Sequence, residues 1–348
     1  MSHSIPTVVI VGAGHAGGTL AGMLRQQKFD GRIVLCGDET HPPDHRPPLS
    51  KKYADEEFVQ WLKPEAFYAD NAIETLLGDP VVGIDRDART ATTASGTVLE
   101  YTTLVLATGA APRTLTLPGS ELGGVLSLRT LADATLLRDA VHTGSALAII
   151  GGGYVGLEVA ASARARGCEV TVIERENRVL ARVASPELSS VLTEFHRDRG
   201  TRIITGAEVR EISGTDGRVN GVALGDGTEI PCDMVLVGVG AIPNDALARE
   251  SGLECLAGIV VDGSARTSDP HVLAIGDVTY RLHDTLGKMV RLESIPSAVE
   301  QAKPRSAMRH ETTSSHGPNR AATPAATPPA MTPPTPPTAA RTADSVTN

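Results

Sequence analysis

Two copies of one glycine pattern constrain this chain more than anything else in it. The first is Thr7–Gly17, TVVIVGAGHAG, and the second Ala146–Gly156, ALAIIGGGYVG. Each reads as a short apolar strand, a turn with the spacing G-x-G-x-x-G, and the start of a helix. Gly12 and Gly151 let the chain turn off its strand. Gly14 and Gly153 carry no Cβ, so a pyrophosphate can approach the backbone. Gly17 and Gly156 let helix pack on strand. The helix start offers unpaired N–H groups and partial positive charge to phosphate. One match alone is a weak signal. Two, each followed by a strand ending near an acid, predict an α/β chain with two Rossmann-like dinucleotide-binding domains.

The acids are Asp38, after the strand Arg32–Cys36, and Glu174, after Glu169–Ile173. Either can accept hydrogen bonds from a ribose diol. Asp38 also reads as an ordinary turn residue. Glu174 should repel the extra phosphate of NADPH, whereas Arg175, Arg178 and Arg182 nearby would attract it. The acid is the stronger signal, so NAD(H) is expected over NADP(H).

The chain between and after these units repeats a theme. Short strands at Val81–Ile84, Thr90–Thr93 and Val98–Tyr101 lead to the apolar strand Leu104–Leu106 and Ala107-Thr108-Gly109-Ala110-Ala111-Pro112. A small residue and a glycine there allow backbone to pack on backbone or on a ligand. In the second unit, Glu208–Ile212, Val219–Ala223 and Glu229–Pro231 lead to Met234–Val239 and Gly240-Ala241-Ile242-Pro243-Asn244. Helices are expected at Thr19–Gln26, Glu65–Asn71, Leu131–Val141 and Pro186–Arg199, the last capped by Ser185 with Pro186 at its first position. Lys51 follows Pro47-Pro48 and is expected to start a helix. Val272–Ile275 ends in Gly276-Asp277, at the strand end where open α/β sheets bind ligands.

A net charge of −9 argues against nucleic acid and gives no membrane-surface signal. The N-terminus lacks a signal-peptide pattern, and no apolar run is long enough to span a bilayer. Cys36, Cys168, Cys232 and Cys255 form no C-x-x-C pair and suit a reducing, cytoplasmic compartment. From Pro304 to Asn348 there is no Ile, Leu, Phe, Trp or Tyr, and proline, threonine and alanine dominate. Such a segment cannot bury enough apolar surface to fold, so residues 304–348 are expected to be disordered.

Taken together, VVIVGAGHAG, RPPLSK, LVLATGAAPR, SLRTLADA, IIGGGYVGLEVA, VGVGAIPN, TSDPHVLAIGDV and RLESIPSAVEQA resemble one family. It is the FAD-dependent NAD(P)H:ferredoxin reductases of the putidaredoxin-reductase type, which serve cytochromes P450 and Rieske-type oxygenases. The resemblance spans about residues 7–303. It implies a glutathione-reductase-type fold with an FAD-binding domain of residues 1–113 and 241–303 and an NAD(P)-binding domain of residues 114–240. By the same resemblance, Gly12, Gly14, Ala16 and Gly17 hold the FAD pyrophosphate, and Asp38 the adenosine ribose. Arg46, Val81, Ala107, Thr108, Gly109, Arg129, Asp277 and Ile295 line the rest of the FAD site. Gly151, Gly153, Tyr154, Val155, Gly156, Glu174, Arg182 and Gly240 bind the nicotinamide cofactor. Lys51, near the flavin, pairs with Glu158; the lysine charge stabilises the reduced ring and the carboxylate holds it in place. No metal is implied.

The resemblance also implies the acceptor. Without a cysteine pair, electrons leave directly from the flavin, and a ferredoxin with a two-iron, two-sulfur cluster, or a similar small iron–sulfur protein, takes them singly. Members of the family carry a C-terminal domain of about a hundred residues, a common domain size; this chain has the Pro/Thr/Ala segment instead. The competing readings are a truncated nucleotide-binding remnant of impaired activity, and a rubredoxin-reductase-like or apoptosis-inducing-factor-like oxidoreductase.

Overall fold

The computed structural model describes residues 5–303. The expected disorder of residues 304–348 lies outside the described residues. Two five-stranded parallel sheets carry the two glycine turns. The first runs Val272–Ala274, Thr103–Leu106, Thr7–Val11, Arg32–Gly37, Ile73–Leu77. The second runs Arg202–Thr205, Glu169–Glu174, Ala146–Ile150, Met234–Val237, Val125–Leu126. In each, the strand before the glycine turn lies at the centre. That is why TVVIV and ALAII are almost wholly buried and apolar throughout rather than alternating.

Counted along the chain from the strand before each glycine turn, a three-stranded antiparallel insert sits between the third and fourth strands. One is Val81–Asp85, Thr90–Thr93 and Val98–Glu100; the other is Val209–Thr215, Arg218–Leu224 and Glu229–Pro231. The duplication thus extends beyond the turns. It breaks at the fifth strand. The first sheet takes it from late in the chain, Val272–Ala274, whereas the second takes the two-residue strand Val125–Leu126 from the segment entering it.

Several contacts tie the halves of the fold, two of them between backbone or core elements. Ala110–Pro112 pairs antiparallel with Ala241–Pro243, so the two Gly/Pro turns that look alike in sequence are each other's partners. Leu49, Tyr53 and Phe58 pack in one apolar cluster with Leu157, Val159, Ala160 and Ala163 of the helix Tyr154–Ala165.

Most expected elements are present with ends shifted by a few residues. Met234–Val239 stops at Val237, and the Leu131–Val141 helix stops at Ala140. One expectation is corrected. Lys51 does not start a helix; it ends a short one, Pro47–Lys51, because Pro47 at the first helical position loses no needed donor and its fixed φ favours the turn. The sheet Ile259–Val261, Thr279–His283, Lys288–Val290 and the helix Ala246–Glu250 were not foreseen.

Candidate functional site

Each glycine turn is built on contacts that only glycine allows. Gly12 has φ +116°, and a Cβ there would lie 2.2 Å from the Ala107 carbonyl oxygen. Gly151 has φ +112°, with its would-be Cβ 2.4 Å from the Gly238 oxygen. The small residues after each fourth strand, Ala107 and Gly238, therefore serve backbone-on-backbone packing. Gly12 N–H donates to the Cys36 carbonyl and Gly151 N–H to the Ile173 carbonyl, both at 2.8 Å. Gly17 and Gly156 lie so close to the Gly12 and Gly151 oxygens that no side chain fits.

Gly14 and Gly153 differ. A Cβ on either would meet nothing within 4 Å. They are the N-caps of the helices His15–Gln26 and Tyr154–Ala165, and neither helix has a side-chain cap. Among the described residues, three other helices are capped by side chains, Thr130 with Asp133 in a capping box, Ser185, and Ser294, whereas the short helices Pro47–Lys51, Ala66–Asp70 and Ala246–Glu250 are not. Open space before two uncapped helix starts fits two dinucleotide pyrophosphates. Glycine at these two positions is not demanded by the protein's own packing.

The acids behave differently. Asp38 is exposed at the strand end, and its Oδ1 accepts from the Glu39 N–H, at 3.1 Å. Glu174 is half-buried and built into its turn: Oε2 accepts from Gly152 N–H at 2.7 Å and Oε1 from Glu176 N–H at 2.8 Å. Each oxygen keeps a lone pair for a ribose hydroxyl. Of the arginines that follow, Arg178 is consumed by its own loop, donating to Ala181 and Ala184 carbonyls and to Ser189 Oγ. Arg175 is exposed beside Glu176, and Arg182 lies exposed near Gly240.

The residue after Asp38 was missed. Glu39 forms an ion pair with Arg46, which also faces the buried Asp44 at 3.2 Å. Burial would raise the Glu39 carboxyl, but the Arg46 hydrogen bond and charge, with His41, outweigh it and hold it below its ordinary value. Burial raises Asp44. Glu39, His41 and Asp44 also bring three potential metal ligands together. The Arg46 guanidinium already supplies the positive charge among them.

Lys51 and Glu158 are brought together, Nζ to Oε1 at 2.8 Å, across the packing of helix Pro47–Lys51 on helix Tyr154–Ala165. Ser50 is a second partner that the sequence did not disclose. It is buried, and its Oγ donates to Glu158 Oε2 at 2.6 Å. Ser162 Oγ donates to the Lys51 carbonyl at 3.1 Å. His45, Pro47, Pro48, Lys51, Lys52 and Gln60 line a pocket on this side.

Arg129 and Asp277 are also brought together, at 2.8 Å. The capping box after Arg129 places it, with Asp133 accepting the Arg129 N–H. Asp277 lies on the tight turn Gly276–Val278, which Gln301 pins: its Oε1 accepts from Gly276 N–H at 2.6 Å and its Nε2 donates to Thr279 Oγ1 at 3.1 Å. Thr108 Oγ1 donates to the Asn244 carbonyl at 2.7 Å, and Asn244 Nδ2 donates to the Thr108 carbonyl at 2.9 Å, so the Gly109 and Gly240 turns are locked together. Ala16 and Val81 are buried in apolar clusters, and Ile295 is the half-buried first residue of the helix Ile295–Gln301. Tyr154 and Val155 stand exposed at the second helix start.

The four cysteines are free. Burial pushes Cys36 up to about 12 and Cys232 up to about 11, and also raises Cys168 and Cys255. All four remain thiols at neutral pH.

A family model described as pyridine nucleotide-disulphide oxidoreductase matches residues 6–302. A probable ferredoxin reductase, CtmF, of Castellaniella defragrans is 48% identical over 302 residues, covering 85% of this chain and 73% of the relative. The solved ferredoxin reductase for the CYP199A2 system of Rhodopseudomonas palustris superposes with a TM-score of 0.83 at 46% identity, over 85% of this chain and 74% of that one. The reductase in a covalent putidaredoxin reductase–putidaredoxin complex does so with a TM-score of 0.83 at 39% identity, over 86% and 74%.

Proposed function

Because the chain belongs to the pyridine nucleotide-disulphide oxidoreductase family, and is an oxidoreductase that uses FAD and NAD(H), we propose that it moves electrons from NADH through FAD to a ferredoxin. The ferredoxin would in turn supply a cytochrome P450 or a Rieske-type oxygenase. The observation that carries this is the pair of open, uncapped cradles whose supporting elements meet at the Lys51–Glu158 contact. The names of the similar proteins, a ferredoxin reductase for a P450 system and a reductase joined to putidaredoxin, support the acceptor class.

The first cradle, Gly12 to Gly17, with residues 1–113 and 241–303 around it, is read as the FAD domain. The second, Gly151 to Gly156, within residues 114–240, is read as the NAD domain. FAD held in the first cradle would supply a two-electron hydride acceptor that can give up electrons singly. The chain's own residues prepare that exchange. Glu158, held by Ser50, fixes the Lys51 ammonium, and the lysine places positive charge where reduction adds negative charge. Arg46, Arg129 and Asp277 bind polar parts of FAD. Glu174 takes the 2′-hydroxyl of NADH, and the commitment of Arg178 to loop carbonyls removes one anchor for a 2′-phosphate. Buried, protonated cysteines offer no disulfide relay, so the acceptor draws directly on the flavin. Free thiols and NADH dependence also suit the cytoplasm. Among the described residues, no helix is long and apolar enough to cross a membrane.

The test is acceptor dependence. With NADH, the flavin-loaded protein should reduce cytochrome c quickly only when a ferredoxin is added. Equal rates with and without ferredoxin would remove it from the reading, and a rubredoxin outperforming every ferredoxin would reassign the acceptor.

A further inference from the structure

The turn that carries Asp277 is oriented by a side chain 25 residues further on. Gln301 is the last residue of the helix Ile295–Gln301 and is only 2 % exposed. Its amide closes a cycle of three hydrogen bonds around one residue. Gly276 N–H donates to Gln301 Oε1 at 2.6 Å. Gln301 Nε2 donates to Thr279 Oγ1 at 3.1 Å, and that hydroxyl donates to the Gly276 carbonyl at 2.9 Å. A buried turn needs partners for its main-chain groups. Here both groups of Gly276 take them from buried side chains, so the direction of the turn depends on the helix.

The same turn sits against the first cradle. Gly276 is left-handed, with φ +80°, and a Cβ on it would stand 3.0 Å from Ala16 Cβ, on the first turn of the helix His15–Gln26. Ala298 and Ala302 pack with Ala16 and Leu20 in one apolar cluster, which seats the Gln301 helix on the cradle helix. Asp277 follows Gly276, and its Oδ2 accepts from Arg129 at 2.8 Å. Arg129 also reaches the Gly109 turn, its guanidinium 3.7 Å from where a Gly109 Cβ would lie. The Asp277–Arg129 pair therefore runs from the first helix turn to the Gly109 turn. Among the described residues nothing donates to Asp277 Oδ1, which is left to accept from a ligand.

Resting on the reading of the first cradle as the FAD site and of Asp277 as a ligand of its polar part, we propose that Gln301 is a positioning residue for the flavin cofactor. It acts without touching the cofactor. Through Gly276 it sets the direction of the Asp277 carboxylate, and through Asp277 that of the Arg129 guanidinium. Without the amide, the Gly276 N–H and the Thr279 hydroxyl lose buried partners, and the turn shifts to recover them. The shift takes Asp277 off the cofactor, at the scale of one hydrogen bond to a charged group, about tenfold in affinity.

The experiment is a double-mutant cycle on FAD affinity, read by flavin fluorescence as FAD is titrated into the flavin-stripped full-length protein. Gln301→Met keeps the side chain's length and removes both hydrogen bonds of the amide. Alone it should raise the FAD Kd about tenfold, as should Asp277→Ala. Together they should stay within about twofold of Asp277→Ala alone, because the amide acts through the carboxylate. A double variant weakened about a hundredfold, the product of two independent losses, overturns the positioning role and leaves Gln301 to packing. So does Gln301→Met binding FAD as the parent does while Asp277→Ala binds it weakly. Asp277→Ala binding FAD as tightly as the parent overturns the reading of Asp277 and the inference with it, and no FAD uptake by the unaltered protein overturns the cradle assignment. Thr279→Val cuts the same cycle at its hydroxyl and, put through the same comparisons, decides the matter if Gln301→Met does not fold.

Discussion

The glycines of the first turn separate what the fold needs from what a ligand needs, and Gly12→Ala beside Gly14→Ala exposes the difference. At Gly12 a Cβ would sit 2.2 Å from the Ala107 oxygen and 2.5 Å from its carbon, at φ +116°. Left-handed strain costs about 1–3 kcal/mol, and displacing a packed backbone costs about 1–3 kcal/mol more. The sum, roughly 2–6 kcal/mol, is a large share of the 5–15 kcal/mol that holds a typical protein together. At Gly14 the same methyl meets nothing within 4 Å and φ is −86°. Only the poorer N-cap remains, at about 1 kcal/mol. The methyl does occupy the space assigned to pyrophosphate. Overpacking there by about 1–3 kcal/mol translates into roughly five- to 150-fold weaker FAD binding. Denaturant melts of the flavin-free proteins, paired with FAD titrations, read both quantities. Gly12→Ala should lose a large share of its stability, whereas Gly14→Ala should keep its fold and lose flavin. A Gly14→Ala protein that binds FAD as tightly as the parent, or that unfolds alongside Gly12→Ala, would refute the reasoning.

Other changes have equally definite outcomes. Lys51→Met should slow flavin reduction by NADH in stopped-flow while FAD stays bound, and Glu158→Gln should act in the same direction. Ser50→Ala removes a 2.6 Å hydrogen bond from a buried hydroxyl to a carboxylate; it should cost about 1.5–3 kcal/mol in a urea melt and slow flavin reduction less than Lys51→Met. Phe58→Ala empties a site in the cluster shared by the Leu49–Phe58 segment and the helix Tyr154–Ala165. It should cost about 3–5 kcal/mol, seen as a lower urea midpoint with both halves still melting together.

The two cradles were legible because G-x-G-x-x-G encodes local backbone demands: a positive φ at Gly12 and Gly151, and close approach at Gly17 and Gly156. The antiparallel inserts were legible because their strands are adjacent in sequence. What escaped was set by partners far along the chain. Ser50 meets Glu158 across 108 residues, and Thr108 meets Asn244 across 136. A serine in a one-turn helix and an asparagine in a tight turn give no sign of such partners. Likewise, the two Gly/Pro turns look like parallel copies, and only the folded chain makes them a pair. Val125–Leu126 is too short to show a period and becomes a strand only because the Met234–Val237 edge is there to receive it. Asp38 and Glu39 illustrate the limit at single-residue scale. Both are acids at the right place, and Arg46, seven residues from Glu39, fixes which of them is tied down.

Anaerobic titration of the purified, flavin-loaded chain with NADH tests the central claim most directly, followed as loss of the yellow flavin band. One FAD per chain, bleached by about one equivalent of NADH because the hydride carries both electrons the flavin accepts, is the expected result. A protein that holds FAD in full stoichiometry yet stays yellow under excess NADH would contradict it.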